Sequence, residues 1–164
     1  AVEPVVAQAH SGLAQRLQPG RPMQVEGPYG CFDLPLSLDG REQIWIAGGI
    51  GVTPFLAWLE ALQARPEQAP DVDFYYSVRE HATDPFVARL QALCANVPAV
   101  RLHVISGARN ERLTAATLRD RPLAGAAPEI WFCGPRGLAT SLREGLRGLG
   151  MGGARFHQEA FEMR

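Results

Sequence analysis

Three glycines in four positions, Gly48, Gly49 and Gly51, open the run GGIGVTPF and are the residues of this chain best placed to do chemistry. Glycine admits positive φ and lets a backbone come up to a ligand with no Cβ between them. Thr53 suits a helix N-cap, and Pro54 suits the first helical position, where its missing N–H loses no bond. A loop ending this way, with Val52 inside it, aims free amides and the positive end of a helix at whatever lies over the glycines. Phosphate is the group such a site suits. The plain alternative is a tight turn between strand and helix. The spacing is GxGxxP, so the dinucleotide fingerprint GxGxxG is not met; Pro54 stands where its third glycine would be.

About twenty-five residues further on, a strand ends in SVRE, at the place where such folds read an adenosine ribose. Ser77 and Arg79 there could grip a 2′-phosphate, arginine through its bidentate fork. A solvated charge at a strand end is the alternative, and Glu80 next door counts against a phosphate. Cys133, Gly134 and Pro135 close a later strand and precede a helix. A thiol there lies at the carboxyl edge of the sheet, near a helix N-terminus that would lower its pKa. Three roles stay open for it: a small buried residue, a nucleophile, or a group packed against a cofactor ring. The histidines at 10, 81, 103 and 157 are scattered without metal spacing, no metal site is expected, and structural roles suit each of them. No GxSxG is present.

The elements that must position these groups alternate. Residues 44–47 (IWIA), 72–78, 100–105 and 129–133 are short, β-branched or aromatic, and predict buried strands; a closing ARFHQEAF predicts a fifth. Helices are expected over 54–64, 84–95, 114–120 and 135–149, the second with Asp84 and Pro85 as N-cap and N1. This alternation predicts an α/β fold: a doubly wound parallel five-stranded sheet with helices on both faces. Residues 1–40 differ. Two strands, 3–10 and 22–30, flank a short helix at 12–17, and read as the end of a preceding β-rich domain, with 41–164 as the nucleotide-binding unit.

Composition narrows the classes. At 164 residues, with 46% apolar and 20% charged residues, the chain is ordinary for one globular unit. A net charge of −1 gives no case for nucleic acid, and no apolar run predicts membrane insertion by this chain. All 16 basic residues are arginine, so a P-loop and a lysine Schiff base are both excluded. The 3 cysteines are odd in number and far apart, which predicts reduced thiols in a cytosolic setting.

GPYGCF, IAGGIGVTPF, YYSVR, FCGP and the closing EAF, in this order, resemble the pyridine-nucleotide half of the ferredoxin-NADP reductase superfamily, most of all bacterial ferric-reductase and NADPH-oxidase-type flavoenzymes. The resemblance implies a ferredoxin-reductase-like nucleotide-binding domain that takes NADPH or NADH, preceded by the last strands of a flavin-binding β-barrel that holds FAD in the complete protein. Hydride would pass to the flavin and single electrons onward to a haem, ferric or iron–sulfur acceptor. Gly49, Gly51 and Thr53 match the family's pyrophosphate loop, and Ser77 and Arg79 its ribose or 2′-phosphate position. Cys133, Gly134 and Pro135 match the motif beside the nicotinamide, Glu159 and Phe161 the acidic–aromatic ending, and Ser11 a hydroxyl near the flavin pyrophosphate. Three residues follow Phe161, a departure from a strictly terminal aromatic ring. The flavin motif of the early barrel has no counterpart, so the isolated chain is expected to bind FAD weakly and to be inactive. The implied partners are the FAD barrel and a haem-containing membrane domain of one parent, at the cytoplasmic face of an inner membrane. The alternatives are the reductase component of a soluble oxygenase and a non-catalytic nucleotide-sensing or docking module.

Overall fold

The computed structural model describes residues 20, 32–34, 42–119 and 128–159. Ser11, Phe161, the expected strands over 3–10 and 22–30 and the helix over 12–17 lie outside the described residues. The chain divides into two compact units, Ala1–Gly30 and Cys31–Arg164, and the second holds every element below.

Five strands, β1 (Gln43–Gly48), β2 (Val72–Val78), β3 (Val100–Ser106), β4 (Glu129–Cys133) and β5 (Arg155–Glu159), form one sheet in the order β3-β2-β1-β4-β5. Every pairing is parallel. Parallel neighbours need crossovers, and the helices α1 (Thr53–Leu62), α2 (Val87–Ala95), α3 (Ala115–Arg119) and α4 (Arg136–Gly148) supply them. The α/β, doubly wound five-stranded sheet is therefore as expected, with ends that move by up to three residues.

Alternation along the strands divides the core in two. Trp45, Ala47, Phe74, Tyr76, Val78, Trp131 and Cys133 face α1 and α2, against Phe55, Leu59, Leu62 and Leu90. Ile44, Ile46, Tyr75, Ile130 and Phe132 face α3 and α4, against Leu118, Ala139, Leu142 and Leu146. Because β1 sits at the centre and is covered on both faces, all six of its residues are buried, which is why its sequence reads as a continuous apolar run.

The first face is stapled by aromatic rings. Trp58 meets Trp45 and Trp131 edge-on at 5.1 and 5.4 Å between centroids. Phe32 stacks on Trp58 at 4.8 Å and turns its edge to Trp131 at 5.3 Å. Phe32 is thereby anchored on the α/β core.

Candidate functional site

The chain runs outward from β1 to β2 and β3, then returns to the other side of β1 for β4 and β5. The loops leaving β1 and β4 therefore part at the point where the winding reverses, and open α/β sheets bind ligands in that crevice. α1 and α4 both begin at this edge, directly after those loops.

The glycines divide their labour here. A Cβ at Gly51 would run into the carbonyl of Cys133, one at Gly48 would come within 2.6 Å of Pro135 Cδ, and one at Gly134 within 2.9 Å of the Gly48 nitrogen. These three glycines let the β1 and β4 loops touch backbone to backbone. Gly49 is different: its φ is +54° and a Cβ there would meet nothing within 4 Å. It is the glycine that faces open space, and its left-handed backbone turns the loop.

One sequence expectation needs correction at this loop. Gly49–Val52 is a 3-10 turn that runs straight into α1, so Thr53 is already helical at φ −57° and ψ −43° and makes no side-chain cap; its N–H bonds to the Ile50 carbonyl. The 3-10 turn places Thr53 inside the helical run rather than ahead of it, so its hydroxyl does not occupy the N-cap position. Pro54 keeps its place in the first turn. Val52 has its side chain fully buried in the core, so only its backbone can meet a ligand. Ile50, at the tip of the turn, is instead 51% exposed.

Register brings the remaining candidates to the same edge. Gly48 pairs with Ser77 on one side, Ala47 with Cys133 on the other, and Cys133 in turn with Glu159. Ser77, the glycine loop, Cys133 and Glu159 thus form one row across the carboxyl end of four strands. Arg79 follows β2 and is exposed, and no acceptor among the described residues binds its guanidinium. Glu80 bends back, its Oε1 accepting the Ala82 N–H at 3.3 Å.

Cys133 overturns the depressed-thiol expectation. It is wholly buried, and burial together with the nearby Glu159 carboxylate pushes its thiol up to about 12. Desolvation of the thiolate outweighs the pull of the α4 N-terminus, which leaves the packing roles open and removes the nucleophile. His103 and His157 bond to carboxylates, Asp73 at 2.8 Å and Glu129 at 2.7 Å, in structural pairs on the two edge strands. Among the described residues no cluster could hold a metal ion, and no helix is long and apolar enough to cross a membrane.

Sequence reasoning missed how the β2 exit is held. The Tyr76 hydroxyl lies 3.1 Å from both Asp84 carboxylate oxygens, while Asp84 Oδ1 accepts the Phe86 N–H at 2.9 Å. Burial, then Asp84, raises the Tyr76 pKa, so the phenol stays a donor. The Asp-Pro pair predicts the N-cap and N1 of α2, but the helix begins at Val87 with Phe86 as its N-cap, so Asp84 and Pro85 lie in the turn before it; the bond from Asp84 to a strand tyrosine left no signal in the sequence.

Comparison with known proteins gives no matching family model. The chain is 33% identical over 150 residues to the heme-dependent oxidative N-demethylase beta subunit of Ectopseudomonas mendocina, which covers 91% of this chain and 44% of that protein. It is 28% identical over 159 residues to the vanillate O-demethylase oxidoreductase of a Pseudomonas species, covering 97% of this chain and 48% of the relative. Among solved structures, the Amycolatopsis cytochrome P450 reductase GcoB superposes with a TM-score of 0.63 at 26% identity, over 82% of this chain and 42% of that one. The chain thus spans under half the length of the curated relatives it matches.

Proposed function

The chain belongs to the ferredoxin-NADP reductase superfamily, and from that premise we propose that it is the nucleotide-binding half of an NAD(P)H-dependent flavin reductase serving an oxygenase. The carrying observation is the row at the carboxyl edge: a glycine facing open space beside two helix N-termini, with Ser77 on one flank and Cys133 and Glu159 on the other. The residues present fit a dinucleotide. Gly49 leaves room for a pyrophosphate, the 3-10 turn over Gly49–Val52 presents its leading amides, and Arg79 stands beyond Ser77 where an adenosine would reach.

When bound, the nicotinamide supplies a hydride for a flavin carried by the rest of the protein. This chain contributes placement. The touching loops set the height of the cradle, and Gly134 and Pro135 wall one side of it with the buried Cys133 packed behind them. Cys133 acts by packing, since its thiol is buried and protonated. No acid or base is needed, because hydride transfer between stacked rings depends on distance, orientation and dryness.

The names of the two demethylase relatives support an oxygenase acceptor. None of the relatives compared above points to a membrane ferric reductase as the parent. Equilibrium titration of the chain with NADPH and NADH tests the reading. Binding of one or both in preference to GTP is expected, and equal indifference to all three reduces the glycine loop to a turn. Arg79→Ala should weaken NADPH about tenfold or more and NADH little, as loss of a charge-assisted fork implies.

A further inference from the structure

The loop leaving β3 is built more tightly than a connector needs. The Ser106 N–H donates to Glu111 Oε2 at 2.7 Å, and the Glu111 N–H returns to the Ser106 carbonyl at 3.2 Å. Between them Gly107–Arg109 makes a 3-10 turn that Asn110 ends in the left-handed region at φ 57°. The closed loop is fastened to the β2 exit, where the Ala108 N–H bonds to the Arg79 carbonyl at 2.9 Å. A Cβ on Gly107 would already lie 3.5 Å from that same oxygen.

This fastening places Arg109 one residue along the chain from the backbone bond between Ala108 and Arg79. Both arginines are exposed, and among the described residues neither guanidinium has a carboxylate partner. The acids closest to them in sequence are engaged elsewhere, Glu80 with the Ala82 amide and Glu111 with the Ser106 amide. Two guanidiniums carried by loops that are bonded backbone to backbone offer two charge-assisted forks to one dianion.

We propose that the Ser106–Glu111 loop is a second wall of the adenosine subsite, in which Arg109 joins Arg79 on a 2′-phosphate and Glu111 is the positioning residue that holds the loop. The proposal rests on the nucleotide reading above and deepens it toward phosphorylated ribose, hence NADPH. A bare 2′-hydroxyl offers neither the charge nor the several acceptor oxygens that two guanidiniums can share.

Calorimetric titration of the chain with adenosine 2′,5′-bisphosphate and with adenosine 5′-monophosphate tests it, since the probes differ only in the 2′-phosphate. The wild type should prefer the bisphosphate. Arg109→Ala should weaken the bisphosphate about tenfold and the monophosphate less than about twofold. Arg109→Lys should recover part of the loss, keeping the charge without the fork. Glu111→Ala should show the same selective loss as Arg109→Ala. Equal effects of Arg109→Ala on both probes, or none on either, overturn the proposal. A wild type that binds the two probes alike also overturns it while sparing the nucleotide reading, whereas a wild type that binds neither sinks that reading first.

Discussion

Gly49 and Gly51 look interchangeable in the sequence and are not interchangeable in the structure. Gly51→Ala forces a Cβ against the Cys133 carbonyl, a backbone atom that cannot swing aside. Overpacking of that kind costs about 3 kcal/mol and pushes the β1 and β4 loops apart. Gly49→Ala meets open space and pays only for its positive φ, about 1 kcal/mol. Denaturant titration of the two variants should therefore rank them clearly, with Gly51→Ala also losing nucleotide affinity; equal destabilisation would contradict the loop contact. Cys133 offers a second residue-scale test. Its folded pKa, raised to about 12, lies above the ordinary value near 9. The unfolded chain therefore loses its proton first as pH rises, and the stability held below about pH 9 drains away between 9 and 12. A thiol reagent at pH 8 should leave Cys133 unmodified until the chain is unfolded, and rapid labelling of the native chain would refute its burial. The type and place of these residues were legible in GGIGVTPF and FCGP. Which glycine serves the fold and which the ligand was not, because that depends on two loops 82 residues apart (51 to 133) touching.

Elements were legible wherever composition and burial agree. The run VDFYYSV predicts β2 to the residue, since aromatic and β-branched side chains suit a strand covered on both faces. The short helix α3 was less sharply bounded, because its footing on α4 is a tertiary fact: a Cβ on Gly145 would come within 2.6 Å of the Ala115 Cβ, so the two helices meet there. Asp84 joins both kinds of information. As a helix-start signal it reads early, since α2 begins at Val87, and its carboxylate accepts the Phe86 N–H in the turn before the helix. It also receives the Tyr76 hydroxyl, which ties α2 to the strand that ends in Ser77 and Arg79. Asp84→Ala removes the acceptor of the Phe86 N–H and strands a phenol, and a loss of about 2 kcal/mol is expected. Asp84→Asn retains an acceptor and should lose less than half of that. Hydrogen exchange at the amides of α2 would read the difference, and unchanged protection in Asp84→Ala would show that the helix start is held by something else.

At the scale of the molecule, the alternation of strand and helix predicts a parallel sheet, but the order of its strands comes from the reversal between β3 and β4, a long-range choice that local pattern does not encode. That reversal brings the Gly48 and Cys133 loops together and makes one edge the binding edge. On the proposed reading the row of candidates would meet a nucleotide from the sheet side, and hydride transfer would need a flavin on the opposite face of the nicotinamide. Joined to a complete flavin barrel and loaded with FAD, the protein should reduce a dye acceptor at the expense of NAD(P)H, while the chain alone, given free FAD, should show less than about a hundredth of that rate, since effective concentration and orientation are lost. In the joined protein Cys133→Ala should slow flavin reduction and leave nucleotide affinity within about twofold, because a packing residue sets placement without holding the ligand. Nucleotide binding with no dye reduction in the joined protein would assign the chain a sensing role and end the reductase reading.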